Sequence, residues 1–485
     1  MHRLHLIASL WLFSPLAVSA QKPPTETAIL ASKRAAMQRL QADTARWREA
    51  ALSIWGYAEV GYKEVKSSAL LAGMLEKEGF RVEKGVAGIP TAFVASYGSG
   101  SPVIGILAEY DALPGLSQQA VAEKRPVADG KPGHGCGHHL FGTASVAAGI
   151  ALRHEMERNG WKGTVKVFGC PAEEGGSGKV YMVREGLFKD VDVALHWHPD
   201  SENRMEVEGA LANKSAKFRF YGRSAHAAMA PEQGRSALDA VEAMDHMVNL
   251  MREHVPQDTR IHYVITSGGK APNVIPDFAE VYYYVRHPDK RSVMEIFDRV
   301  VKAAEGAALG TETSMKYEVI GGTHDLLINR SLAEAMHPNL VMAGGVEYTP
   351  QEAAFGAKIQ ATLTGKVPAI ASAASVKPLQ QTNGVNPGST DVGDVSYTLP
   401  TIGIRTATWV PGTPAHSWQA VACGGTSIGV KGMMSAARAL ANMGIDLLTQ
   451  PAIIAKAKEE FIKTKGDYRY TPLLGDRKPA LDYRD

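Results

Sequence analysis

Residues 133–139, Gly-His-Gly-Cys-Gly-His-His, hold three imidazoles and one thiol between His134 and His139. Neutral imidazole nitrogen and thiolate sulfur are the donors that divalent transition metals prefer, and packing alone seldom calls for such density. Cys136, with a histidine two residues to either side, reads as a metal ligand. Cys170 ends the apolar run VKVFGC and reads as a small buried hydrophobe, while Cys423 carries no readable signal. Three cysteines, far apart and odd in number, imply no disulfide framework.

Further candidates lie where buried strands end. Short apolar runs bounded by Gly and Pro at 92–97, 103–108, 164–169 and 191–197 predict strands. A helix over 140–159, whose small face is Ala144, Ala147, Ala148 and Ala151, separates the second from the third. This alternation predicts a doubly wound α/β layer, which binds its ligands outside the carboxyl ends of the strands. There the sequence places Glu109, Tyr110 and Asp111, then Glu173 and Glu174, then His196 and His198, and finally His416. Adjacent carboxylates at a strand end diverge, which suits one for a metal and the other for proton transfer. His196 and His198 share one side of their strand, so spacing does not choose between them, and His416 in PGTPAHSWQ says little by itself.

The elements around these candidates fall into two textures. Residues 26–79 are helical in pattern. From Asn213 the chain reads strand, helix, strand, strand, helix, strand, a ferredoxin-like βαββαβ unit. After Gly322 the α/β pattern returns, with a helix over 331–344, a Gly, Ser and Pro-rich stretch to Thr390, a strand over 401–408 and a helix over 430–449. The expected organisation is a discontinuous catalytic domain, 26–211 and 323–450, with 212–322 inserted and 451–485 as a C-terminal extension.

With 485 residues, 45% of them hydrophobic, the chain can bury two cores. Its net charge of +2, with both signs well mixed, offers no footprint for nucleic acid or an anionic membrane and points to small-molecule partners. Met1, His2 and Arg3, an apolar run to Val18 and the small residues before Gln21 read as a signal peptide over 1–20, so a periplasmic or secreted protein is expected. No later stretch has the length of a membrane span.

Eight segments together resemble the dinuclear metallohydrolases that include aminoacylase, glutamate carboxypeptidase and the plant auxin-conjugate hydrolases. They are AEYDALPGLSQ (108–118), GHGCGHHLFG (133–142), PAEEGGSGK (171–179), ALHWHP (194–199), GRSAHAAMAP (222–231), APNVIPD (271–277), GSTDVGDVS (388–396) and GTPAHSWQ (412–419). The resemblance implies two divalent ions, zinc or manganese, held by Cys136, His138, Glu174, His196 and His416, with Cys136 bridging. It implies Glu173 as general base and Asp111 and His134 as residues that steady the ligands. It also makes the inserted unit a lid and dimerisation domain, whose His226 reaches the partner's site in a homodimer and polarises the scissile carbonyl. Asn273 and Arg286 would face the substrate's carbonyl and carboxylate.

His139 stands where relatives usually carry Asp or Asn; a supporting donor, an alternative ligand and a substrate contact are all open readings. The activity implied is hydrolysis of N-acyl or N-aroyl amino acids, such as aminobenzoyl-glutamate-like conjugates. A dipeptidase or carboxypeptidase is the rival among enzymes, and a non-catalytic metal or amino-acid binding protein the rival outside them.

Overall fold

The strands, in chain order, are β1 (Arg81–Lys84), β2 (Phe93–Ser99), β3 (Val103–Glu109), β4 (Gly163–Cys170), β5 (Val193–Asp200), β6 (Arg204–Glu206), β7 (Ala212–Tyr221), β8 (Arg260–Ser267), β9 (Phe278–His287), β10 (Ser314–Thr323) and β11 (Thr401–Ala407). The structure is a computed structural model that describes residues 24–381 and 384–484; the expected signal peptide lies outside the described residues.

Seven strands form one sheet in the order β1-β2-β4-β3-β5-β11-β6. The four central strands, β4-β3-β5-β11, are parallel; β2 and β6 run against them, and β1 pairs antiparallel with β2 at the edge. Every residue of β3 is buried, as its unbroken apolar run requires of a strand covered on both faces. The chain leaves β3 for β4 on one side and returns to β5 on the other, which makes the carboxyl end of β3 a topological switch point.

The helix His138–Asn159 crosses from β3 to β4 and is buried along most of its length. Ala144, Ala147, Ala148 and Ala151 are all buried, so the small face lets the helix pack closely between the sheet and the long helix Ser427–Thr449. The helical region before the sheet divides into Glu26–Ala42, Thr44–Tyr57 and Val65–Lys77. The stretch before Thr390 also holds a helix, Pro350–Gln360, opened by a Thr349/Glu352 capping box that its Gly and Pro content concealed.

The second sheet, β10-β7-β9-β8, is wholly antiparallel. Helices Ala237–Met251 and Lys290–Gly310 cover one of its faces, capped by Ser236 and Asp289. Val241, Met244, Val248, Val293, Phe297 and Val300 meet Phe218, Phe220, Val281 and Tyr283 in a separate core. The connectivity is that of the expected βαββαβ unit.

Candidate metal and hydrolase site

Donor groups from five segments converge at the carboxyl ends of β3, β4, β5 and β11. Cys136 Sγ lies 3.3 Å from His198 Nε2. The sulfur takes part in two donor clusters, one with His138 and His198, the other with Glu174 and His416. A third cluster joins His138 to Glu109 and Glu173.

Local backbone explains why these atoms meet. Gly137 precedes the helix at φ 78°, and a Cβ there would come within 2.8 Å of Pro199, so only glycine turns the chain tightly enough to aim His138 at the cluster. Asp111 Oδ1 holds His138 Nδ1 at 2.8 Å and leaves Nε2 facing inward, while its other oxygen accepts the Glu174 amide at 2.9 Å. Buried Glu64 accepts the amide of Ala172 at 2.8 Å, securing a left-handed turn (φ 56°) just before the two glutamates. His416, also left-handed at φ 58°, donates its amide to Gly135 O at 2.9 Å, which ties its loop to the cysteine segment. Its Nε2 stands 3.2 Å from Glu174 Oε1.

His198, not His196, is the strand-β5 histidine beside Cys136, which corrects the expected donor set. The His196 ring sits over Gly403 of the neighbouring strand, where a Cβ would strike it at 2.3 Å, and its Nδ1 faces Glu206 at 3.6 Å. Glu206 is itself fixed by Arg405 at 2.6 Å. His198, two residues nearer the carboxyl end of the strand, projects where the other donors lie.

His134 and His139 are both buried and contribute to none of the three clusters. His134 Nε2 meets Ile54 O and His139 Nε2 meets Gly424 O, each at 3.1 Å, and their rings lie 4.8 Å apart. Of the three open readings for His139, the structure favours a supporting role: it pins the cysteine segment to the helix Trp418–Gly424. Burial pushes the pKa of both rings down, to about 4 for His134.

Electrostatics and the crowding of donor atoms both suit a cation pair. Burial opposes a thiolate at Cys136, but His198 and His138 outweigh it and hold the thiol well below its usual range. Burial, with Glu109, Glu174 and Asp391 nearby, pushes Glu173 well above the ordinary carboxyl value. Burial and Cys136 push Glu174 up to about 7. Buried Glu109 Oε2 and His138 Nε2 face each other at 3.1 Å, and Glu174 Oε1 faces His416 Nε2 at 3.2 Å, contacts that lack good hydrogen-bond geometry. Crowded sulfur, nitrogen and oxygen donors in a buried cleft fit divalent metal.

Beneath the cluster lies a support to which the motifs assigned no role. Lys179, fully buried, bridges Glu109 and Asp391 at 2.6 Å each. Asp391 also accepts the Lys179 amide at 2.9 Å.

A cavity of about 360 Å³ opens beside the donors, lined by Glu173, Glu174 and His416 on one side and by Tyr284, Arg286 and Thr323 of the second sheet on the other. Arg286 Nε is buried there without a partner among the described residues. His226 and Asn273 are exposed on the inserted domain and line neither this cavity nor its 240 Å³ neighbour around Cys136. His226 Nδ1 accepts the amides of Ala228 and Met229 at 3.2 Å, and Asn273 O accepts the amide of Ala227 at 3.1 Å.

Residues 212–312 match the peptidase dimerisation domain family. Over 446 residues the chain is 45% identical to a p-aminobenzoyl-glutamate hydrolase polypeptide of Escherichia coli (strain K12), covering 87% of this chain and 93% of the relative. It is 29% identical over 446 residues to the Xaa-Arg dipeptidase of Mus musculus, covering 88% and 92%. Among solved structures, a Bacillus subtilis protein described as a dinuclear metal-binding peptidase from the M20 family aligns with a TM-score of 0.58 at 17% identity, covering 84% of this chain and 99% of that one.

Proposed function

The chain belongs to the M20 peptidase family, and from that premise we propose that it is a metal-dependent amidohydrolase cleaving N-acyl or N-aroyl amino acids, aminobenzoyl-glutamate-like conjugates among them, to an acid and an amino acid. The observation that carries this reading is a pair of donor clusters sharing one sulfur, with a further carboxylate, Glu173, beside them and a guanidinium, Arg286, across the cavity. Cys136, His138, His198, Glu174 and His416 would hold two divalent cations, and their sulfur, nitrogen and oxygen donors suit zinc or manganese.

Such a pair, when bound, lowers the pKa of a shared water and polarises the amide carbonyl. Glu173 takes the proton of the attacking water and returns it to the leaving amine nitrogen. Arg286 binds the substrate carboxylate with its planar fork. His226 donates to the carbonyl oxygen as it gains negative charge. Its exposure, far from lining its own chain's cavity, supports service to a second copy in a homodimer. The edge strand β8 supports the same arrangement, since it exposes Tyr263, Val264 and Ile265 along an unpaired margin that another chain would cover. The leader read over residues 1–20 supports action in the periplasm or outside the cell. The dipeptidase relative supports a second reading, hydrolysis of dipeptides at the same site.

Metal-loaded protein assayed on N-acyl amino acids beside dipeptides separates these readings. Glu173→Ala is expected to keep its metal while hydrolysis falls by ~100-fold or more. Mixing that variant with His226→Ala is expected to restore about a quarter of wild-type activity, because half of randomly paired dimers carry one intact composite site. A fully active Glu173→Ala refutes the base, and mixtures without recovery refute the shared histidine.

A further inference from the structure

The end of the chain returns to the cavity. Arg484 lines it together with Arg286, Glu173, Glu174 and His416. One arm of its guanidinium, Nη2, donates to Glu174 O at 2.6 Å, and Tyr483 donates to the same oxygen at 3.0 Å. Arg484 Nε, like Arg286 Nε, is buried without a hydrogen-bond partner, and among the described residues no carboxylate ion-pairs with either guanidinium. Both side chains are half-buried, with Nε turned away from water, and a buried donor left unmet is costly unless an acceptor completes it.

The tail that delivers Arg484 is firmly anchored. Tyr470 donates to Asp394 at 2.9 Å, Arg477 pairs with Glu318 of β10 at 3.2 Å, and Leu473 and Leu474 are buried. Tyr483 packs edge-on against Tyr62, and the Arg484 guanidinium lies 4.7 Å over the Tyr483 ring. The side chain is therefore pre-set for a ligand rather than ordered by one.

We propose that Arg484 and Arg286 form a two-point anion cradle that selects a dicarboxylic leaving group: Arg286 takes the α-carboxylate, and Arg484 takes the side-chain carboxylate of a glutamate or aspartate. The assignment rests on the amidohydrolase reading given above and narrows it to N-acylated acidic amino acids.

N-benzoyl-glutamate and N-benzoyl-glutamine, alike in shape and different in charge, test it. Wild-type protein is expected to favour the glutamate conjugate. Arg484→Gln is expected to lower the glutamate-to-glutamine ratio of kcat/KM by on the order of 10- to 100-fold, the loss of a charge-assisted contact. Arg484→Lys, which keeps the charge and loses the fork, should give an intermediate ratio and decides the matter if the glutamine variant fails to fold. Equal falls on both substrates, leaving the ratio as in wild type, would reduce Arg484 to a clamp on Glu174 and overturn the proposal, as would a wild type that prefers glutamine. A wild type inactive on both and on the wider panel of acyl amino acids contradicts the amidohydrolase reading itself.

Discussion

His196 and His198 point to the same side of β5, yet only His198 reaches Cys136. A strand rises ~3.3 Å per residue, so the later histidine stands roughly 7 Å nearer the edge where the ligands gather. His198→Ala is therefore expected to weaken divalent-metal binding at that half-site by roughly 100-fold or more, and His196→Ala to weaken it far less; equal losses in a zinc titration would contradict the assignment. Cys136 was legible in the sequence because a dense local motif advertises it, whereas His138 and Glu174 were picked out within their motifs only by the family resemblance, and proximity to the strand end was the signal that could have chosen His198. Lys179 was not legible. Its burial depends on Asp391, 212 residues further on, and a lysine in a glycine-rich turn looks like any solvated one.

The inserted domain shows what periodicity can reveal among the elements. Its helices and strands alternate apolar and polar residues so regularly that the βαββαβ order follows from pattern alone. Its core nevertheless holds a carboxyl, Asp245, which accepts a hydrogen bond from Tyr283. Burial, reinforced by Glu242, raises its pKa to about 6 against the opposing effect of that hydrogen bond. Since the folded value stands above the ordinary 3.8, the folded domain prefers the neutral acid. The stability this group contributes is full below 3.8 and is lost as pH rises through about 6. Asp245→Asn is expected to flatten that part of the decline, read as thermal midpoint against pH from about 4 to about 6.5; parallel curves for wild type and variant would contradict it. The C-terminal extension was legible only as an appendage. Short polar turns carry no period, and nothing in residues 466–484 announces that Tyr483 and Arg484 dock beside Glu174.

At the scale of the molecule, strand order does what no single motif can. Sending β4 and β5 to opposite sides of β3 opens a crevice at the carboxyl edge, and the loops after β3, β4, β5 and β11 empty their donors into it. The second sheet supplies the facing wall with Arg286, the tail supplies Arg484, and His226 stays exposed outside the cavity. Alternating strands and helices indicated this layer, whereas the position of the switch point depends on contacts too distant in sequence for local pattern to show. The central claim is that two cations share Cys136. Anomalous diffraction from crystals loaded with zinc or manganese tests it directly. Two peaks are expected, each about 2.3 Å from the sulfur for zinc, one beside His138 and His198 and the other beside Glu174 and His416. A single peak, or a pair that leaves Cys136 unligated, would contradict the account.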